Sequence, residues 1–235
     1  MTATLPQAAA LAAWASAWLR GEVSVDEIAA HLGPGVQVLV GAPGADGAEP
    51  LALGLGRLRR LGLLAVTPSL PAPGDPVGLA GPPAFNAAAL DAGGGVVLPG
   101  TALGALPVQV GGAVEWRCAS AHEALPPDPG EADRLLRATL LEVTQRLVDL
   151  DVASWQPDIP DALMNLRHRA SPPLPPSYDG RRRETIDRAL LCLEIVALAG
   201  VVEPGALTAA EMEQRRAALT DLDRAARLAL VALCR

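Results

Sequence analysis

The sequence predicts an α+β (or α/β) protein, with a small mixed sheet and helices in its N-terminal half and a helical bundle in its C-terminal half. Three observations carry this. Short apolar runs alternate with segments of helical spacing from Val36 to Cys118. Glycine and proline punctuate that half densely and thin out after it. From Glu131 onward, leucines recur at steps of three and four. The change falls at Leu125-Pro-Pro-Asp-Pro-Gly130 and divides the 235 residues into 1–125 and 126–235. The two halves are either two small domains or one continuous domain, since Trp116 and Cys118 lie close to the boundary.

Residues 5–20 have helical spacing, with Leu11, Trp14 and Trp18 on one face. Ser24 and Glu27 have the separation of a capping box and open a second short helix, which Gly33-Pro34-Gly35 ends. Val36–Val40 is a β-branched strand. Leu51, Leu55 and Leu58 set a helix over 51–61, and Leu63–Thr67 is the next expected strand. Strand, helix, strand in this order predicts a parallel pair joined by a crossover. Pro68–Pro83 is a long loop, Phe85–Asp91 a short helix begun at Pro82 or Pro83, and Val96–Leu98 a short strand. Gly111-Gly112, between Val108–Val110 and Ala113–Trp116, marks a hairpin.

In the second half, Leu136, Leu140, Val143, Leu147 and Leu150 form a seam on a helix over 131–150, and Asp161–Arg169 is a short helix. A proline linker, 172–177, leads to a helix over 182–199. That helix is apolar on nearly all sides after Ala189 and is expected to lie centrally. Thr208 and Glu211 repeat the capping-box spacing and open the last helix, whose Met212, Leu219, Leu222, Ala226, Leu230 and Leu233 share a face.

Composition excludes several chemistries. All 19 basic residues are arginine. A phosphate-binding P-loop and a Schiff-base enzyme both need a lysine, so neither fits. The net charge of −7 disfavours nucleic acid as a partner. Cys118, Cys192 and Cys234 are odd in number and far apart, which is neither a disulfide framework nor a zinc pattern. The longest apolar run, 189–202, is broken by Glu194 and falls short of the roughly 20 residues of a membrane span. No signal peptide is read at the N-terminus, so a cytoplasmic location with reduced thiols is expected.

Several segments bear on ligands. Gly41-Ala-Pro-Gly44-Ala-Asp-Gly47 follows a strand and precedes a helix, the place of a phosphate loop, but its spacing and its acidic residues favour a plain turn. The loop Pro71–Asn86 is the most distinctive segment, and Asp75 and Asn86 are its candidate ligand-binding side chains. The alternative is a structural loop in which Asp75 caps a turn and Phe85 plugs the core. Arg167, His168 and Arg169, then Arg181, Arg182 and Arg183, form two basic clusters on either side of the proline linker. They suit an anionic small molecule or an acidic partner surface. The alternative is a solvated face offset by Asp179, Glu184 and Asp187. Glu194, inside an apolar helix, either has a raised pKa or finds an arginine. His31 ends a short helix and is read as structural. His122-Glu123 lacks a second histidine, and no serine sits in a GxSxG setting. No catalytic residue, metal site or cofactor is therefore assigned.

The Pro73-Gly-Asp-Pro76 loop leading into Phe85-Asn86, the run Val114-Glu-Trp116-Arg117, and Asp161-Ala-Leu-Met-Asn-Leu-Arg-His168 resemble an uncharacterised protein family of high-GC actinobacteria, over nearly the whole chain. The resemblance implies a lineage and a cytoplasmic compartment, and no site residue. The expected function is a non-catalytic regulatory or interaction protein, binding a protein partner or itself. The alternative is a binder or enzyme of an anionic metabolite, with a pocket between the 71–86 loop and the arginines of 167–183.

Overall fold

The computed structural model describes residues 3–149, 169–201 and 208–235. The elements in chain order are α1 (Gln7–Leu19), α2 (Val25–Ala30), β1 (Val36–Val40), β2 (Ala48–Pro50), α3 (Leu51–Arg60), β3 (Thr67–Ser69), α4 (Pro83–Asp91), β4 (Gly95–Leu98), β5 (Leu103–Val110), β6 (Ala113–Ser120), α5 (Pro129–Asp149), α6 (Gly180–Val201) and α7 (Ala209–Leu233). The α+β class read from the sequence is the class of the fold. The expected helix over 161–169 lies, up to residue 168, outside the described residues, as does Leu150.

The strands form one mixed sheet in the order β2-β1-β6-β5-β4-β3. The hairpin about Gly111 is there and is longer than its sequence signal, with Val110 opposite Ala113 and Leu103 opposite Ser120. Gly111 has φ 57°, the conformation such a turn requires.

The predicted parallel pair is not formed. β1 does have a parallel partner, but it is β6, with Val36 opposite Ala113, and β3 lies at the far edge. The strand expected at 63–67 is also displaced, to Thr67–Ser69. Leu63 and Val66 are buried as expected of a strand, but the Val66 N–H donates to Ser16 Oγ and the Leu64 N–H to the Pro99 carbonyl. Packing explains their apolar character without a sheet partner. β2, which follows the glycine-rich loop, was not expected; both edge strands, β2 and β3, are three residues long and contain a proline.

Both faces of the sheet are covered. On one, Phe85 of α4 packs with Ala89, Val97, Leu106 and Ala121. The opposite face joins a large core, where Leu39, Val96, Leu98 and Trp116 meet the helices. Trp116 Nε1 donates to buried Gln37 Oε1 at 2.9 Å. Close approach needs glycine at Gly54, where a Cβ would lie 2.8 Å from Leu39 Cβ.

α1 is buried on all sides from Ala8 to Ala17 and packs on β3, β4, α2 and α7. A helix apolar all round belongs in the interior. In the bundle, α7 packs along both α5 and α6, which touch each other far less. The last helix is thus the central one, not the apolar α6 as expected. Much of α6 after Cys192 is only half-buried. Both capping boxes formed: Glu27 accepts from the Ser24 N–H, and Glu211 from the Thr208 N–H. Leu11, Trp116, Leu136 and Leu230 belong to one buried cluster, so the core is continuous across both halves.

Candidate functional site

The distinctive loop is built on a tight turn. Ala72 and Asp75 exchange both backbone hydrogen bonds, with Pro73 and Gly74 between them. Gly74 has φ 79°, which suits the third position of a type II turn after proline. The turn pushes the Asp75 carboxylate onto α7. There Arg227 Nη2 meets Asp75 Oδ2 at 2.8 Å and Arg224 Nε lies 3.4 Å from Oδ1. Arg227 also donates to the Leu70 carbonyl and to Asp223, both at 2.7 Å. Its side chain is 10% exposed, so one nearly buried guanidinium fastens the loop to the central helix.

Two clefts flank this fastening. One, of about 540 Å³, is bordered by Ala72, Pro73 and Asp75 and is lined by Val196, Met212 and Leu219 together with Arg215, which donates to the Ala199 carbonyl, and Arg216, which pairs with Glu213. The other, of about 590 Å³, lies between α5 and α7, with Leu135, Val143 and Leu228 lining it. Asp75 borders both. Their size is that of small-ligand pockets, and each mixes apolar residues with several charged ones of both signs.

Asn86 does not join Asp75. Its Oδ1 accepts from the Gly81 N–H at 3.0 Å and closes the end of the loop, while Phe85 plugs the core as the structural alternative required. Asp75 caps no turn by its side chain; it forms the ion pairs just described.

The arginines meet partners within the chain. Arg169 pairs with Glu194 and donates to the Asp187 carbonyl, part-way along α6, so Glu194 did find an arginine. Arg181 donates to Asp133 at 3.1 Å. Arg182 donates to the Leu233 and Arg235 carbonyls and lies 3.6 Å over the Tyr178 ring. Arg183 donates to the Tyr178 and Pro175 carbonyls, each at 2.7 Å. A cation at the N-terminus of α6 therefore faces the carbonyl end of α7, which offsets the cost expected from its own helix. Arg167 and His168 lie outside the described residues. None of Arg169, Arg181, Arg182 or Arg183 lines the clefts beside Asp75, where the arginines are Arg215, Arg216, Arg224 and Arg227 instead.

Sequence reasoning missed Arg227 and Asp133. Arg227 had a readable signal, since it interrupts the apolar run Ala225–Ala232 and a buried charge there needs a partner. Asp133 stands four residues before Arg137, but its other partners come from α6 and no local spacing announces them.

Other reactive groups are quiet. Burial pushes the Cys118 and Cys192 thiols up to about 11 and Cys234 up to about 12, so none is a thiolate at neutral pH. His31 stacks on Trp14 with centroids 3.7 Å apart and its Nδ1 lies 2.7 Å from the Glu27 carbonyl, a structural role as read. The glycine-rich turn is held by Arg57, which reaches the Gly44 carbonyl and pairs with Glu49. Among the described residues, no group of three metal-ligating side chains comes together and no helix is long and apolar enough to cross a membrane.

Two family models match the chain. That described as Rv1486c-like protein, N-terminal domain, matches residues 8–132, and that described as Rv1486c-like protein, C-terminal domain, matches residues 130–231. No curated protein and no solved structure matches it.

Proposed function

We infer that this chain, which belongs to the Rv1486c-like family, is a non-catalytic binding protein that docks a partner protein in the cleft between α6, α7 and the fastened 70–77 loop. The observation that carries this reading is the cleft of about 540 Å³ lined by the apolar Val196, Met212 and Leu219 beside Arg215 and Arg216. Met212 is 42% exposed. An exposed methionine is an adaptable contact for a partner's apolar side chain. Methionine and arginine are also enriched where proteins meet. The engagement of Arg169, Arg182 and Arg183 in internal hydrogen bonds supports the same reading, because it leaves these side chains to hold the fold.

Native mass spectrometry of the full chain, purified gently from its own cells, tests this. The expected result is a stoichiometric protein partner or a homo-oligomer, lost on Leu219→Asp or Met212→Asp. A monomer at all concentrations, with no co-purifying protein, would overturn it.

An anionic metabolite is the second reading. The cleft volume is in the range of small-ligand sites, and it is lined by Arg215, whose bond to the Ala199 carbonyl uses one of its N–H groups, and by Arg216, whose pair with Glu213 is exposed to solvent. In the same spectra this reading predicts a bound small mass. It also predicts thermal stabilisation by phosphorylated or carboxylated compounds, about 2.7 kcal/mol at a hundredfold excess over Kd. Arg216→Ala should remove the stabilisation; the absence of any shift across a metabolite panel would sink this second reading.

A further inference from the structure

We propose that Arg137, Arg181 and Arg188, gathered over Asp133, form a binding site for a phosphoryl group. Asp133 sits in the second turn of α5, and its two oxygens receive four donors, about the full capacity of one carboxylate. Arg137 and Arg181 both donate to Oδ2, while Arg188 and Thr185 donate to Oδ1 at 3.3 and 3.0 Å. The Asp133 side chain is 3% exposed, against 69% for Arg181, 51% for Arg137 and 29% for Arg188. The cluster thus has a buried acidic floor and a cationic mouth open to water.

Three positive charges stand against one negative. Among the described residues, Asp133 is the one carboxylate paired with any of these three arginines. Two guanidiniums that share Oδ2 must lie within about two hydrogen-bond lengths of each other, roughly 6 Å. At that spacing they repel, and the surplus of two charges favours a second anion. Arg181 stands in the first turn of α6, whose dipole adds to the positive potential. Each guanidinium carries five N–H groups, and its bond to Asp133 uses one. A phosphate monoester, with a charge of about −1.5 to −2 at neutral pH and three terminal oxygens, matches both the surplus and the forked donors. A carboxylate brings a single charge. The site lies at the N-terminal ends of α5 and α6, where Arg181 and Asp133 stand, and does not rest on the cleft proposed above.

The test is a calorimetric titration of the full chain with phenyl phosphate at constant ionic strength set by sodium chloride. The expected result is saturable binding of one equivalent, weakened about tenfold or more by Arg181→Ala, the worth of a charge-assisted hydrogen bond. Arg137→Gln should weaken it in the same direction. Arg117→Ala, which removes an arginine of β6 as exposed as Arg137, should leave it unchanged. Circular dichroism would confirm that each variant is folded. Three results would each overturn the proposal: no saturable binding, equal binding by wild type and Arg181→Ala, or equal competition by acetate.

Discussion

Arg227 is where the two halves of the molecule meet at a single side chain. It reaches the loop carbonyl of Leu70, the loop carboxylate of Asp75 and Asp223 of its own helix. Removing one partner of a nearly buried pair leaves an uncompensated charge, which costs about 3–5 kcal/mol. Arg227→Ala is therefore expected to destabilise the chain by that amount in urea unfolding, and Asp75→Ala by less, since Arg227 keeps Asp223. Arg224→Ala, at 69% exposure, should change stability by less than about 1 kcal/mol. Asp133 makes a prediction in pH. Burial pushes its pKa up, but hydrogen bonds from Arg137, Arg181 and Thr185 more than offset this and hold it below the ordinary aspartate value. A carboxyl depressed in the folded state contributes stability above its unfolded pKa and loses it as pH falls through the folded value. Wild type should lose more stability than Asp133→Asn between pH 5 and pH 3; equal losses would refute this. At this scale the sequence was partly legible. Glu194 inside an apolar helix announced its own arginine, whereas the partners of Asp75 and Asp133 lie on other helices.

The elements were more legible than the residues. Two capping boxes, one Gly-Gly hairpin and a proline at the first turn of α4 were read directly, because each is set by neighbours in sequence. What failed were statements about who lies next to whom. β1 found its parallel partner some 75 residues later, and α6 is more apolar than α7 near its end without being central. Long-range pairing depends on which surfaces fit, and the fit is visible at Gly104. A Cβ there would collide with the Phe85 ring and lie 2.8 Å from the Val96 carbonyl. Overpacking of this kind costs typically about 1–3 kcal/mol. Gly104→Ala should show that loss in thermal unfolding, and a Phe85→Leu background should reduce it. If the two substitutions simply add, the ring is not the cause.

For the whole molecule, the N- and C-terminal family models meet at residues 130–132, near the start of α5. The buried cluster crosses that junction, with α1 against α7 and Arg227 against the loop. The intact chain is therefore expected to unfold in one cooperative transition, with calorimetric and van't Hoff enthalpies equal. A fragment of residues 1–128 alone should expose apolar surface and aggregate. Two separated transitions, or a fragment that folds by itself, would show that the boundary read from composition divides independent units.

The two outermost strands bear on how copies of this chain can associate. An open sheet grows when its border offers unpaired backbone groups in a long, straight row. Here one border strand pairs through Pro50 and the other through Pro68, and each is three residues long. Proline lacks the N–H that an incoming strand would need. The sheet thus offers an incoming strand little unpaired backbone at either border, without being rolled into a barrel.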